Sequence, residues 1–257
     1  MNRSDLSFLE EMFQCKVADI KEQLIIVNQS KEAVLVSSYE NIKVVNDSNF
    51  GLSRSRNRAM FSCEAKWAWI LDDDVVLLPG AVKFLKKVLN ENEQHCLTIV
   101  KAIDFSHNDR RTYPDQAGFL RTQKQIENIS SIEMVIHVPT FKKLNLAFDE
   151  RFGLGASFPM GEEYILVKDI IEHGEHIYFI PISLVQHDVF SSGKNPAYIN
   201  AIKTRGALAA KYYPKFTFYF KIKYLFFLFR KGFVTDYKKL LEGYKVFSGA
   251  VRAYKSK

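Results

Sequence analysis

Trp67-Ala68-Trp69-Ile70-Leu71-Asp72-Asp73-Asp74-Val75-Val76 is an apolar run that ends in three consecutive carboxylates and then turns apolar again. Each ionised carboxylate at the end of a buried strand costs several kcal/mol to desolvate unless a cation answers it. A divalent metal is one answer, because aspartate oxygens are the hard ligands that Mg²⁺ or Mn²⁺ takes. A solvated strand end or an Asp-rich turn is the other reading of the same ten residues.

Working outward, the flanking segments read as short buried strands alternating with helices. Residues 4–18 have helical spacing in Leu6, Leu9, Phe13 and Val17, with Ser4 placed as an N-cap. Leu24-Ile25-Ile26-Val27 is a continuous apolar run of the kind buried on both faces, and Asn28-Gln29-Ser30 reads as the loop after it. Ile42-Lys43-Val44-Val45 is a second strand. Gly51 opens a helix to about Ala65, Pro79-Gly80 precedes another, and Leu97–Val100, Ile132–Val138 and Ile177–Pro181 are further strands. The pattern predicts an α/β fold with a Rossmann-like, mostly parallel sheet flanked by helices. In such sheets ligands sit at the carboxyl ends of strands, where Asn28 and the Asp triplet fall.

The remaining polar landmarks each carry two readings. Arg54, Arg56 and Arg58 crowd a helix start, where the dipole disfavours cations unless an anion is near; a solvated basic face is the plainer account. Residues 104–118, with His107, Asp109, Arg110 and Arg111, read as a substrate-contacting or simply exposed loop. Glu162 and Glu163 open a helix, a position that favours acids without any catalytic role. His187 follows an apolar pair, where a structural histidine is common.

Charge is distributed unevenly along the 257 residues. Residues 194–257 hold 15 Lys and Arg against 2 Asp and Glu, and residues 1–193 hold 21 against 27, so a body of charge −6 carries a tail of +13. Such asymmetry points to an anionic partner of the tail, membrane or nucleic acid. Phe216–Phe229 is aromatic, too short and too interrupted by lysine to span a bilayer, and suits an interfacial segment or a helix packed on the body. Three widely spaced cysteines without a zinc pattern point to a reducing compartment. These features divide the chain into a body over 1–193 and a basic, aromatic, helical extension over 194–257.

Five segments taken together resemble the inverting glycosyltransferases of family 2, which have the GT-A fold, in the form found in bacterial surface-polysaccharide synthesis. Gly51-Leu52-Ser53-Arg54-Ser55-Arg56-Asn57 is similar to the family's G-x-S-x-A-R-N segment, with Ser55 for the usual Ala. Asp72-Asp73-Asp74 stands where the D-x-D motif is expected. Phe148-Asp149-Glu150-Arg151-Phe152-Gly153 is similar to F-D-E-x-F-G, Gly161-Glu162-Glu163 to G-E-D, and Val185-Gln186-His187 to V-x-H.

The resemblance implies a metal site of Asp72, Asp74 and His187 for Mn²⁺ or Mg²⁺. It implies a nucleotide-sugar site of Asn2, Arg3, Asn28, Gly51, Arg54, Arg56, Asn57, Asp72 and Asp73. It places a general base at Glu163, a glutamate where the family has aspartate, with Glu162 as the competing assignment. The implied reaction is metal-dependent transfer of a sugar from a nucleotide sugar to a hydroxyl of a glycan or lipid-linked acceptor, by single displacement with inversion. A cytoplasmic setting at the inner face of the membrane, peripheral membrane contact through the tail and no nucleic-acid partner complete the expectation. Rivals are a nucleotidyltransferase of related fold and an inactive transferase-like membrane-binding protein. Met1-Asn2-Arg3 looks like the end of the family's opening P-T-Y-N-R strand, so a strand is expected to be missing beside Leu24–Val27. Asn28 also replaces the family's usual aspartate.

Overall fold

The computed structural model describes residues 2–32, 34–91, 95–188 and 196–256. Met1, named above in the opening segment, and the proposed 193/194 boundary lie outside the described residues. The chain forms two compact units, one of residues 1–150 and 162–189, the other of residues 151–161 and 190–257.

The first unit opens with α1 (Phe8–Phe13), shorter than the helix expected over 4–18. Ser7, not Ser4, precedes it, and Gln14 ends it in the left-handed conformation. Two strands follow, β1 (Leu24–Gln29) and β2 (Ile42–Asp47), paired in parallel from Leu24↔Ile42 to Gln29↔Asp47. Asn28 and Gln29 are therefore strand, not loop. Helix α2 (Leu52–Ser62) leads to β3 (Trp67–Trp69), the Asp turn, β4 (Val76–Leu77) and α3 (Ala81–Glu91). Then come β5 (Leu97–Ile103), β6 (Gly118–Phe119), α4 (Gln123–Ile126), β7 (Met134–His137), α5 (Val138–Lys143), α6 (Glu162–Glu172) and β8 (Ile177–Gln186).

The α/β class and the GT-A-type arrangement hold. The four longest strands pair in parallel, β1 with β2 and β5 with β8. Short reversed strands, which sequence alone did not suggest, add antiparallel neighbours and make the six-stranded sheet mixed. Its order is β3-β7-β5-β8-β4, with β6 on β8. Among the described residues β1 pairs only with β2, so these two form a sheet of their own.

The pleat sorts side chains to two cores. Leu97, Ile99, Met134 and Ile136 face one cluster with Phe148, Leu166 and Ile170. Val100, Ala102 and Val135 face the other, with Phe8, Leu9, Ile26 and Leu85. Residues 104–118 are tied down by ion pairs: Lys101 meets Asp109 at 2.7 Å, and Arg111 forks onto the buried Glu133. Tyr113 donates to the same carboxylate at 2.7 Å. Arg111 thus answers a buried charge within the protein.

The second unit contains α7 (Pro196–Tyr212), α8 (Thr217–Arg230) and α9 (Tyr237–Lys255) around Ile202, Leu225, Leu228 and Phe247. It also takes residues 151–161, which lie within the body over 1–193 expected from sequence. The reason is aromatic packing: Phe152 and Phe158 lie against Tyr254, and the Arg151 guanidinium sits 4.5 Å from its ring centre. Gly206 lets α7 and α9 touch, since a Cβ there would stand 2.7 Å from the Phe247 carbonyl oxygen. Among the described residues no helix is long and apolar enough to cross a membrane.

Candidate active site

Arg56 is the hub of the site. It projects from α2, is 6% exposed, and its guanidinium donates to four acceptors. Nη1 reaches Glu162 Oε1 and Glu163 Oε1, both at 3.1 Å. Nη2 reaches Asp72 Oδ1 at 3.3 Å and Ser131 Oγ at 2.7 Å. Burial alone would lower the Arg56 pKa, but Glu163, Asp72 and Glu162 outweigh it and raise it. The planar fork suits this task, because two nitrogens can each serve two acceptors at fixed angles.

Three carboxylates around one guanidinium cannot all stay charged without cost. Glu162 is the most buried, with its side chain 5% exposed against 20% for Glu163 and 34% for Asp72. Burial pushes its pKa up to about 7, and neighbouring Glu163 adds to the rise while Arg56 opposes it. Oε2 of Glu162 is buried with no hydrogen-bond partner among the described residues. Of the three, Glu162 is the carboxyl that burial drives toward its protonated form.

The Asp turn is set by strand pairing. β3 ends at Trp69, Asp73 and Asp74 turn the chain, and β4 pairs antiparallel with β8 in the register Val76↔Gln186. That register carries Asp74 to His187, whose Nε2 lies 3.0 Å from Asp74 Oδ1. The hydrogen bond raises the His187 pKa and lowers that of Asp74. Nδ1 of His187 is buried with no partner among the described residues. Asp73 is taken by Arg3, Nε to Oδ2 at 2.7 Å.

Asn28 is fully buried and fastens the N-terminal residues. Its Oδ1 accepts from Arg3 N at 3.0 Å, and its Nδ2 donates to Arg3 O at 3.0 Å. An aspartate here could not donate. Asn28→Asp, an isosteric change, is expected to cost about 1–3 kcal/mol, read as a lower midpoint in urea denaturation. An unchanged midpoint would show that this amide pairing is dispensable.

The other expected site residues are engaged in holding α2. Gly51, at φ 146°, is clamped by Gln29, whose Nε2 donates to Gly51 O at 3.0 Å and whose Oε1 accepts from Gly51 N at 3.2 Å. Arg54 and Arg58 both pair with Asp47 Oδ2, at 3.2 and 2.8 Å. Asn57 exchanges two bonds with the Phe148 backbone, at 2.9 and 2.8 Å. So Asp72, Arg56, Glu162 and Glu163 come together, Asp74 and His187 pair, and Arg3 joins Asp73 to Asn28. Sequence reasoning missed Ser131 and Gln29. Serine has no motif of its own, and Gln29 was signalled only by the polar end of β1.

Among the described residues no three Asp, Glu, His or Cys side chains stand together as a metal cage. The donor types of Asp72, Asp74 and His187 nonetheless fit a hard divalent ion. Asp74 is 65% exposed on its side chain, Asp72 is partly exposed, and His187 supplies an imidazole.

The sequence model of glycosyl transferase family 2 matches residues 16–145, just over half of the chain. No curated protein sequence matches. Among solved structures the fold is similar to Staphylococcus aureus TarS 1–349, with a TM-score of 0.55 at 12% identity over 98% of this chain and 87% of that one. A second S. aureus TarS structure aligns with a TM-score of 0.50 at 12% identity, over 80% of this chain but only 36% of that one. At this identity the likeness concerns the fold. The matched segment carries β1, α2 and the Asp turn, and this chain belongs to glycosyl transferase family 2: it is a glycosyltransferase.

Proposed function

We propose that the protein transfers a sugar from a nucleotide sugar to a hydroxyl of a glycan or lipid-linked acceptor, by single displacement with inversion, in the assembly of a surface polysaccharide. The observation that carries this reading is the Arg56 bridge. One buried guanidinium holds Asp72, at the Asp turn, and Glu163, at the start of α6. A donor-side carboxylate and a candidate base are thereby tied to one side chain.

Glu163 is the group assigned to the acceptor. It is the more exposed of the two glutamates and is oriented by Arg56, so it is the one placed to take the proton of an attacking hydroxyl. Protonated Glu162 removes one negative charge from the cluster and leaves Arg56 to orient Glu163. Asp72, Asp74 and His187 would hold a divalent ion, which supplies charge neutralisation at the leaving diphosphate. Arg3 fixes Asp73 and so the conformation of the turn between the two proposed ligands.

The test is thermal stabilisation by a panel of nucleotide sugars with Mn²⁺, followed by nucleotide release with the best of them. Asp74→Ala is expected to lower release by about 10²-fold or more with the fold intact by circular dichroism. Undiminished release would reject Asp74 as a ligand. Failure of every nucleotide sugar to stabilise the parent protein would reject the donor class.

A further inference from the structure

The outer face of α8 is built unlike a solvated surface. Phe218, Ile222, Phe226 and Phe229 recur at intervals of four, four and three residues, which places them on one side of a helix. They are exposed: Phe218 by 65%, Phe226 by 64% and Phe229 by 59%. Tyr219 widens the band, and Phe216 and Phe233 extend it past both ends of the helix, also exposed. The adjoining flank of the same helix is the one that packs, with Leu225 and Leu228 buried in the core of the second unit. So the apolar surface of α8 is wider than the strip that packs within the unit, and the Phe218–Phe229 band is left exposed.

Charge says what fits the other side. Residues 196–235 contain eight Lys and Arg and no Asp or Glu. Lys223 and Arg230 lie beside the aromatic band along the helix, and Lys215 and Lys231 stand at its two ends, all four exposed. A second copy of this face would bring the same sign of charge against it, which is repulsive. An anionic bilayer surface is complementary on both counts. It offers negative headgroups to the cations and an acyl boundary for the rings, where Phe and Tyr gain most. α8 is 14 residues long, suited to lying in the interface.

We propose that the outer face of α8 docks the protein onto an anionic lipid surface, with Phe218, Ile222, Phe226 and Phe229 inserted at the headgroup boundary and Lys215, Lys223, Arg230 and Lys231 on the headgroups. The inference is independent of the proposed donor and of the assignment of Glu163.

The test is co-sedimentation of the full chain with phosphatidylcholine vesicles, with and without phosphatidylglycerol. Binding is expected to need phosphatidylglycerol and to weaken with salt. Phe218→Ser/Phe226→Ser/Phe229→Ser is expected to lose binding at least tenfold with unchanged circular dichroism, since the three side chains are exposed. A separate variant guards against misfolding of the triple change. Phe226→Trp should gain fluorescence quenching by brominated phosphatidylglycerol beyond that of the parent, whose Trp67 and Trp69 lie in the first unit. Equal binding to neutral vesicles, no binding to either, or no added quenching would overturn the proposal. So would a concentration-dependent oligomer that the triple change converts to monomer, or single-stranded RNA that displaces the vesicles and itself needs the three Phe residues.

Discussion

Arg56→Met is expected to lower stability by about 3–5 kcal/mol, a fall in Tm on the order of 10 °C for a chain of this size. Methionine keeps much of the volume, so the loss is electrostatic. It strands Asp72, Glu162 and Glu163 around an uncharged side chain and leaves Ser131 Oγ without its 2.7 Å partner. Arg56→Lys keeps the charge but not the fork. A single ammonium cannot serve four acceptors set in two directions, so this variant should fall between the parent and methionine. Differential scanning calorimetry checks the series. A parent-like Tm for Arg56→Met would show that water, not Arg56, satisfies the cluster.

Glu163→Gln is expected to reduce turnover by about 10²–10⁴-fold while donor binding, read by thermal shift, is retained. The amide keeps the Arg56 hydrogen bond through its carbonyl oxygen but cannot accept the hydroxyl proton. Glu162→Gln separates the roles, because it mimics the neutral form that Glu162 holds in the folded protein. It should leave turnover within a few-fold of the parent and instead change the pH dependence of stability. In the folded protein the Glu162 pKa is raised from 4.5 to about 7. A raised folded pKa means the native state holds the proton longer than the unfolded chain. The stability from neutral Glu162 is therefore complete below about pH 4.5 and is lost as pH rises through about 7. At most roughly 3 kcal/mol is involved, at 1.36 kcal/mol per pKa unit. Urea denaturation across that interval should show a decline in the parent that Glu162→Gln lacks. If instead Glu162→Gln abolishes turnover and Glu163→Gln does not, the two assignments exchange.

The local signals were strong where one segment carries its own constraint. The apolar run ending in Asp72 announced a strand end, because burying three adjacent acids in a strand is too costly. The G-x-S-x-x-R-N segment announced α2, since glycine at φ 146° and a polar helix start are local needs. The helix over 4–18 was overdrawn because apolar spacing continues past Gln14, where the backbone turns left-handed. Asn28 and Gln29 looked like loop because polar residues seldom fill a buried strand. They are strand because their amides have backbone partners waiting, Arg3 for one and Gly51 for the other.

By itself the sequence determined the α/β class, the order of the long strands and helices, the family, and the residue types that carry chemistry. Those follow from spacing and composition, which are local. Only the tertiary structure decided that Arg56 would be shared by Asp72, Glu162 and Glu163, residues 16 to 107 positions away. It alone distinguished the buried Glu162 from the more exposed Glu163, because a pKa depends on what surrounds a group and not on its neighbours in the chain. The pairing of β4 with β8 brought Asp74 to His187. The packing of α8 showed which part of its broad apolar surface faces solvent. The Asp triplet is thus legible as a cluster in need of a cation, but its first cation, the Arg56 guanidinium, arrives from another element of the fold.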